Sequence, residues 1–330
     1  MAVTIKDIAA NAGVSKSTVS RVLLKEGAVS EKSRQLVLKA IEALQYSPNA
    51  VARAMVTGRT GNIAFVICQT HTPAVSHPFY SHILEGVLDE ANRAGYNLII
   101  ASENDVKNND SVIFQKRMDG VILASKVRPE IVSLFRRLNV PTVLINSLSD
   151  VPEVISVMSD DYGGATEAME YLLAKGRRRI AFICGYPDHI SYIRRYNAYI
   201  DVLGRHGIEP DSGIVRFCGH RIDEGKAAMQ NLIGVRLDFT AVFASNDFIA
   251  VGVIKALKEA GINIPEDVAV VGFDDLDMAK IVDPELTTIH TDKEMIGKRA
   301  VQCLFDCLEK QTYPEKILIQ KTALIVRQST

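Results

Sequence analysis

The sequence predicts two structural parts, a small N-terminal domain of helices and a larger α/β domain of two doubly wound lobes. Two observations predict this fold class. Apolar residues recur at helical spacing through the first 46 residues, whereas beyond residue 62 apolar runs of strand length alternate with helical patterns in two successive series. The length of 330 residues agrees with more than one domain, since a typical domain has about 100 to 200 residues.

Three short helices account for the N-terminal pattern. The first begins after Thr4, which has Asp7 at capping-box spacing, and it ends at Gly13. The second begins at Ser15 and the third at Ser30, because a serine hydroxyl can accept a bond from the free amides of a first helical turn. Since the first two helices are almost contiguous, the pattern predicts a helix-turn-helix unit.

The α/β domain is expected to hold buried parallel strands separated by helices. In the first series the expected strands are 62–67, 97–101, 120–124 and 142–145, and the helices are 79–94 and 129–138. In the second series the strands are 180–184, 214–217, 241–244 and 268–272, and the helices are 162–175, 190–206, 223–232 and 247–260. Two such series imply two lobes with a ligand cleft outside the carboxyl ends of the strands.

Charge is unevenly distributed along the chain. Residues 1–60 contain nine Lys/Arg and four Asp/Glu, a net charge of +5, whereas the remainder contains 29 basic and 35 acidic residues, a net charge of −6. A basic N-terminal domain on an acidic body favours an anionic partner at one end, with nucleic acid as the first candidate. The alternative is an ordinary solvated basic surface.

The composition favours a soluble chain that stays in the cytosol. No apolar run reaches the roughly 18 residues that a membrane span needs. Lys6 and Asp7 interrupt the region that would be apolar in a signal peptide. The five cysteines are scattered and form no CxxC pair, which is typical of reduced and buried thiols.

The second predicted helix has a polar face that suits DNA. Lys16, Ser17, Ser20 and Arg21 lie opposite the apolar positions of this helix. Lysine and arginine donate to guanine O6 and N7 or to phosphate, and serine can donate or accept, so this face fits a major groove. The alternative is a solvated amphipathic helix without a partner.

Four motifs carry a family resemblance. They are Val3-Thr4-Ile5-Lys6-Asp7-Ile8-Ala9, Ala12-Gly13-Val14-Ser15, Thr18-Val19-Ser20-Arg21-Val22-Leu23 and Tyr46-Ser47-Pro48-Asn49-Ala50-Val51-Ala52-Arg53. Together they resemble the lactose/galactose repressor family of bacterial transcription regulators, and the similarity extends over essentially the whole chain. Met55 stands where members carry leucine, and Leu24 stands where they usually carry asparagine. Segment 103–116 is shorter than usual by about one helical turn.

The resemblance implies a homodimer that binds an inverted-repeat operator. In this family the second helix enters the major groove, and the hinge helices of two subunits pair in the minor groove, where an apolar side chain, here Met55, opens a base step. The residues expected to contact DNA are Thr4, Ser15, Lys16, Ser17, Arg21, Tyr46, Asn49, Ala52, Arg53 and Met55.

The resemblance also sets the expected domain boundaries. Residues 1–46 form the helix-turn-helix DNA-binding domain, 47–57 the hinge helix and 58–61 a linker. Residues 62–330 form a periplasmic-binding-protein-like domain for effector binding and dimerisation. Its first lobe is expected at about 62–160 and 291–322, and its second lobe at about 161–290 and 323–330.

A small-molecule effector, a sugar or a related metabolite, is expected between the lobes. The candidate contacts follow strand ends or match family positions: Phe79, Ser125, Asn146, Arg195, Asn246 and Asp274. Asn246 and Asp274 together offer the donor and acceptor groups that vicinal hydroxyls need. Structural roles stay open for some positions: Phe79 in a core, Asp247 and Asp275 as helix caps, and Arg195 in an ion pair.

Catalytic alternatives lack their signatures. The sequence holds no GxxxxGK[ST], no GxGxxG after a strand, no GxSxG and no HExxH motif. Its seven histidines show no metal-ligand spacing, and His71 and His77 are the nearest to a pair. We therefore expect no cofactor, metal or enzymatic activity, but an allosteric repressor. A transport-type sugar-binding protein and a sugar-metabolising enzyme with an added DNA-binding module are the alternatives.

Overall fold

The computed structural model describes residues 3–24, 27–46, 58–68, 77–108, 118–235, 238–310 and 315–330. The chain divides into two compact units, Met1–Thr60 and Gly61–Thr330. We call the first the helix unit and the second the α/β unit. Each unit is described by itself below.

The helix unit contains α1 (Ile5–Ala12), α2 (Lys16–Leu24) and α3 (Glu31–Ala43). One small apolar core joins the three helices: Ile8, Ala9, Ala12, Val19, Val22, Val37 and Ala40. All seven side chains are buried and are provided by the inward faces that helical periodicity predicts. The predicted helix-turn-helix unit is confirmed.

The helix ends follow the predicted capping residues. The backbone N–H and the hydroxyl of Thr4 donate to Oδ2 of Asp7 at 2.8 and 2.7 Å. Gly13 ends α1 in the left-handed region at φ 65°, which costs glycine little because it has no Cβ. The hydroxyls of Ser15 and Ser30 each accept a bond from the backbone N–H three residues further on. The Ser15 cap sets where α2 begins and therefore which side chains lie in the first turn of this helix.

The α/β unit contains two six-stranded sheets, one in each lobe. The strands of the first lobe are β1 (Asn62–Cys68), β2 (Asn97–Ser102), β3 (Gly120–Ser125), β4 (Thr142–Ile145), β5 (Ile155–Ser159) and β11 (Ile317–Gln320). The strands of the second lobe are β6 (Ile180–Cys184), β7 (Val215–Phe217), β8 (Ala241–Ala244), β9 (Ala269–Asp274), β10 (Thr287–Thr291) and β12 (Thr322–Ile325). Their orders are β11-β5-β4-β3-β1-β2 and β12-β10-β9-β8-β6-β7. All neighbouring strands are parallel except β12, which is antiparallel to β10.

Helices bury both faces of these sheets. The first lobe has α4 (Pro78–Arg93), α5 (Glu103–Asn108), α6 (Pro129–Arg137) and α12 (Lys293–Lys310). The second lobe has α7 (Asp161–Ala174), α8 (Ile190–Arg205), α9 (Ile222–Val235), α10 (Asp247–Glu259) and α11 (Met278–Ile281). Odd-numbered residues of β1 from 63 to 67 belong to one apolar core and even-numbered residues from 64 to 68 to another, as expected for a strand covered on both faces. Within the described ranges, no helix combines the length and apolar character needed to cross a membrane.

Four strands, β5, β10, β11 and β12, were not predicted from the sequence. Successive parallel strands were expected to be separated by helices, but β4 pairs with β5 with no helix between them. Strands β11 and β12 are short, and their exposed and half-buried residues give only a weak apolar pattern. Their pairing is fixed by distant parts of the chain, which local periodicity does not report.

The chain passes between the lobes three times: after β5, after β10 and between β11 and β12. The first and third passages touch. The backbone N–H of Asp160 donates to the carbonyl of Gln320 at 2.8 Å, and the hydroxyl of Thr322 donates to the carbonyl of Asp160 at 3.2 Å. These three segments hold the two lobes side by side.

Helices α4 and α12 cross at very short distance in the first lobe. A Cβ atom at Gly86 would lie 2.1 Å from the carbonyl oxygen of Glu294, and one at Gly297 would lie 2.2 Å from that of Ile83. Any larger residue at either position would have to push the backbones apart. The crossing fixes the start of α4, where the candidate effector residue Phe79 lies.

Candidate functional site

The predicted DNA contacts that the structure describes on α2 or directly before α1 and α2 are exposed. They are Thr4, Ser15, Lys16, Ser17 and Arg21. Lys16 is the first residue of α2, and the opposite face of the helix buries Val19 and Val22. The hydroxyl of Ser15 lies 2.7 Å from that of Ser17. The start of α2 therefore presents an ammonium group, hydroxyls and, one turn later, a guanidinium group, which are the donors that reach phosphates and base edges.

Tyr46 has a different environment from the other described DNA-contact candidates. It is half-buried and packs against the core of the helix unit. The remaining candidates, Asn49, Ala52, Arg53 and Met55, and the hinge helix predicted over 47–57, lie outside the described residues.

A cleft with a volume of about 150 Å³ lies between the lobes of the α/β unit. The structure brings all six predicted effector residues to it: Phe79, Ser125, Asn146, Arg195, Asn246 and Asp274. Ser125 and Asp274 end strands β3 and β9, Asn146 directly follows β4, and Asn246 lies two residues after the end of β8. Carboxyl ends of parallel strands meet at one edge of a sheet, which is why these positions converge.

Three of the six residues have an unusual backbone conformation. Ser125, Asn146 and Asp274 have φ angles of 75°, 52° and 108°. Non-glycine residues rarely adopt positive φ, and such strain is commonly held at functional sites by the surrounding structure. Here the backbone turns sharply where each strand ends, so that a polar side chain faces the cleft.

Arg195 on α8 is 3% exposed and fully engaged with its surroundings. Its Nε and Nη2 atoms donate to Oδ1 of Asp161 at 2.9 and 2.7 Å, and Nη2 also lies 3.3 Å from Oδ1 of Asp274. Nη1 donates to the carbonyl of Ser245. The guanidinium carbon lies 3.5 Å from the centre of the Phe273 ring, a cation–π distance. Arg195 therefore lines the cleft and also forms a buried ion-paired network.

The two asparagines also form internal contacts. Oδ1 of Asn246 accepts a bond from the backbone N–H of Ile249 at 2.8 Å, so Asn246, and not Asp247 as the sequence allowed, caps α10. Nδ2 of Asn246 donates to the hydroxyl of Tyr192 at 3.0 Å. Oδ1 of Asn146 accepts bonds from the backbone N–H and hydroxyl of Ser159 at 3.1 and 3.3 Å. These bonds fix the direction of each amide.

Phe79 combines the two roles that the sequence left open. It belongs to an apolar core of the first lobe and also lines the cleft. Its ring meets that of Tyr80 edge to face, with centres 5.2 Å apart. The rings of His77 and His220, from opposite lobes, have centres 5.8 Å apart. The cleft wall is thus aromatic as well as polar.

Nine residues that line the cleft were not among the predicted contacts: His77, Tyr80, Lys126, Tyr186, Asp188, His189, Ser191, Tyr192 and His220. Some of them could have been found as Ser125 was, from their position at the carboxyl end of a strand. Lys126 directly follows β3, and Tyr186 and Asp188 follow β6 closely. Others lie on helices, and no sequence signal distinguishes them from surface residues.

Burial changes the ionisation of two cleft histidines. Burial and, to a smaller extent, the neighbouring His220 lower the pKa of His77 to about 4. Burial likewise lowers the pKa of His189 to about 4, with Asp161 opposing this effect. Nδ1 of His189 accepts a bond from the backbone N–H of Ser191 at 3.3 Å, which requires that nitrogen to be unprotonated. Both rings are neutral at physiological pH.

Two buried carboxyl groups, Asp274 in the cleft and Asp247 behind it, keep their protons to unusually high pH. Burial raises the pKa of Asp274 to about 6, against the opposing effects of Arg195 and Lys293. Burial and the nearby Asp274 raise the pKa of Asp247 to about 8. Asp247 accepts bonds from the backbone N–H of Leu276 at 2.7 Å and from the hydroxyl of Thr288 at 2.5 Å. Asp275, the other proposed cap, instead pairs with Arg327 and His290.

A helix-turn-helix unit with a cationic face, joined to a two-lobed α/β unit with a polar cleft, defines the class of ligand-responsive DNA-binding proteins. Comparisons with known proteins agree with this class. The family model for bacterial regulatory proteins of the lacI family matches residues 4–49, and the model for a periplasmic binding protein-like domain matches residues 169–330. The chain belongs to the lacI family of bacterial regulatory proteins and is a DNA-binding transcriptional regulator.

Full-length relatives support this membership. The transcriptional regulator CelR of Thermobifida fusca is 33% identical over 99% of this chain and 98% of its own. The regulator RegA of Clostridium saccharobutylicum is 34% identical, with both chains covered completely. Among solved structures, a CelR–cellobiose complex has a TM-score of 0.76 and 31% identity, covering 99% of this chain and 100% of the other. A lac repressor dimer bound to operator and the anti-inducer ONPF has a TM-score of 0.86 and 25% identity, covering 100% of this chain and 99% of the other.

Proposed function

We propose that the protein is a homodimeric repressor whose affinity for operator DNA is controlled by a sugar or a related metabolite bound in the cleft. The observation that carries the proposal is the cleft itself, in which polar groups of both lobes converge beside aromatic rings. Vicinal hydroxyls need this donor–acceptor mix, and aromatic faces pack against the apolar faces of a sugar ring. Relatives named for cellobiose binding and for a ribose operon support a sugar.

The DNA side of the proposal is supported by α2. Lys16 and Ser17 at its start would contact base edges, and Arg21 one turn later would contact a base or a phosphate. Thr4, Ser15 and Tyr46 would contact the sugar-phosphate backbone of the DNA next to these bases. One helix unit offers few phosphate contacts, so we propose that two chains bind an inverted repeat together. The lac repressor structure named above, in which a dimer is bound to operator, supports binding by two chains.

The coupling between cleft and DNA would run through the predicted hinge helix, residues 47–57. A helix this short does not persist in water by itself, so it would form only when paired with its twin on DNA. In this proposal Asn49, Ala52, Arg53 and Met55 contact the minor groove, with Met55 as the apolar wedge. A ligand that changes the spacing of the two first lobes then changes the free energy of hinge pairing, which is the coupling that allostery requires.

We propose that the chain acts by binding alone and in the cytoplasm, where operator DNA is found. Among the cleft groups with shifted pKa values, Arg195, Asp188 and Asp274 are ion-paired. His189 and Tyr192 accept hydrogen bonds, so these five groups have binding or structural roles. Incubation with each candidate sugar, followed by analysis for a converted product, would reveal turnover and overturn this part of the proposal.

A gel-shift titration tests the main proposal. Candidate sugars are first screened by the melting temperature of the protein, since a ligand that binds only the native state raises it. The operator affinity of wild type is then measured with and without each stabilising sugar. We expect a change of at least about fivefold, the lower end of common allosteric coupling. An unchanged operator affinity with a bound sugar would reject sugar control, and equal binding to half-site and full palindrome would reject the dimer.

A further inference from the structure

The ionic groups of the cleft are already paired inside the protein. Among the described residues that line the cleft, lysine and arginine occur only at Lys126 and Arg195. Arg195 is held by Asp161 and Asp274, as described above. Lys126 forms an ion pair with Asp188. No described lysine or arginine of the cleft therefore lacks an acidic partner.

The Lys126–Asp188 ion pair joins the two lobes across the cleft. Lys126 directly follows β3 of the first lobe, and Asp188 lies between β6 and α8 of the second lobe. The side chains are 38% and 62% exposed, which places the pair near the opening of the cleft rather than at its base. The hydrogen bond from Lys126 lowers the pKa of Asp188, so this carboxylate is ionised at neutral pH.

Two of the three histidine rings in the cleft, His77 and His189, add no positive charge. His77 and His189 have pKa values of about 4, because burial disfavours their charged forms. The aspartates among the described residues that line the cleft are Asp188 and Asp274. A carboxylate or phosphate on a ligand would therefore have to lose water without gaining an unpaired lysine or arginine among the described cleft residues, which is unfavourable.

We propose that the cleft selects an uncharged ligand and that Asp188 determines this selectivity, because its ion pair with Lys126 leaves that ammonium group unavailable to an anionic ligand. This inference rests on the proposed function, since it concerns the ligand of the same cleft. A neutral polyhydroxylated ring meets what the cleft offers: hydroxyls, amides and aromatic faces. An anionic sugar could bind only by taking Lys126 from Asp188, which leaves a carboxylate facing an anion.

The test uses pairs of sugars that differ only in charge. Glucose and glucuronate, galactose and galacturonate, and ribose and ribose 5-phosphate are titrated into the full-length protein by calorimetry, with cellobiose as a further neutral probe. The quantity compared is the ratio of affinities within each pair. Three proteins are used: wild type, Asp188→Asn, and Asp283→Asn as the matched control.

Asp283 is a suitable control because it also pairs with a lysine. Its Oδ2 accepts from Nζ of Lys258 at 2.5 Å, the carboxylate is 87% exposed, and it does not line the cleft. Asp283→Asn therefore removes the same charge from the same kind of pair elsewhere in the second lobe. Melting temperatures of all variants verify that they are folded.

We expect wild type and Asp283→Asn to bind a neutral sugar and to bind its acidic counterpart at least about tenfold more weakly, the range of one charged hydrogen bond. In Asp188→Asn the affinity for the acidic sugar should rise relative to the neutral one by a similar factor. Adding Lys126→Gln to this variant should remove that rise. Tight binding of an acid by wild type, or an unchanged ratio in Asp188→Asn, would overturn the inference and leave sugar control intact. Binding of no sugar of either kind would overturn the proposed function and the inference with it.

Discussion

The positively charged groups of the two candidate sites are held in opposite ways. Lys16 and Arg21 on the helix unit are exposed, and the α2 residues that form part of this unit's core lie on the other face of the helix. Arg195 in the cleft is 3% exposed, and its guanidinium is bonded to two carboxylates and a carbonyl. One site presents its charges to solvent, whereas the other has them neutralised within the fold.

Binding and stability are therefore separable in the helix unit but not in the cleft. An exposed cation on a helix contributes little to the free energy of unfolding, so it can change without loss of the fold. A buried ion-paired cation leaves uncompensated charges when it is removed. A cleft variant can therefore lose ligand binding either directly or because the protein is less stable, and experiments must measure both.

The largest effect is expected for Arg195→Ala. Its removal leaves Asp161 and Asp274 buried without their partner, so the unliganded protein should lose about 3–5 kcal/mol of unfolding free energy as well as ligand affinity. Arg205→Ala is the control, because Arg205 lies on the same helix but pairs with Glu170 at the surface. It should cost less than about 1 kcal/mol. Urea unfolding without ligand measures both, and wild-type stability of Arg195→Ala would contradict the comparison.

Lys16→Ala should show the reverse pattern. We expect a loss of about 1–3 kcal/mol in operator binding that is concentrated at one or two base pairs, if the ammonium group reads a base edge. The melting temperature should not change, because Lys16 is exposed. Lys39→Ala removes the same charge from an exposed position on α3 and serves as the control. Gel shifts against single-base operator variants decide the outcome, and a uniform loss would make Lys16 a phosphate contact.

Asp247→Asn tests the buried carboxyl behind the cleft through pH. The unfolded chain loses this proton near the ordinary pKa of 3.8, whereas burial raises the folded pKa to about 8. The folded state therefore binds the extra proton between these values, and its stability falls as pH rises through this window. Asparagine can accept from Leu276 and donate to Thr288 without a proton to lose.

The difference in unfolding free energy between the variant and wild type should shift in favour of the variant by about 2 kcal/mol from pH 6 to pH 8. Taking the difference removes the contribution of groups that titrate alike in both proteins. Denaturant unfolding at several pH values provides the measurement. A pH-independent difference would show that the carboxyl is ionised in the folded protein throughout this range.

The smallest effect is expected for Ser125→Gly. Its φ of 75° strains any residue with a Cβ, but glycine also has a larger entropy to lose on folding. These opposed effects should leave stability unchanged or raised by less than about 1 kcal/mol. Ligand affinity should fall because a hydroxyl is lost from the cleft. A clear loss of stability would show that Ser125 has a structural role comparable to that of Arg195.

Local patterns predicted the helix unit well because its information is local. Thr4, Ser15 and Ser30 cap helices within three residues of themselves, and Val19 and Val22 share a face by helical spacing. The convergence of Ser125, Asn146 and Asp274 was also predictable, because parallel strands end at one edge. The arrangement of parallel strands accounts for this convergence without any knowledge of side-chain contacts.

Long-range pairing accounts for what the sequence did not reveal. The partner of Arg195 is 34 residues away in Asp161, and Asp188 meets Lys126 across 62 residues. The strand β11 pairs with β5, although neither has a strong pattern of its own. Such contacts depend on how two lobes are placed together, and single-chain periodicity contains no record of that placement.

The three passages of the chain between the lobes affect how the protein can be made on the ribosome. Synthesis proceeds from the N-terminus, so strands β1 to β5 emerge long before α12 and β11. Yet α12 supplies Ile296, Ala300, Val301 and Leu304 to the core of that first lobe. A nascent chain that has reached residue 290 thus has most of its second lobe but leaves an apolar surface of its first lobe uncovered. The first lobe begins to emerge before the second lobe but is completed after it. In that interval it exposes an apolar surface of the kind that chaperones bind.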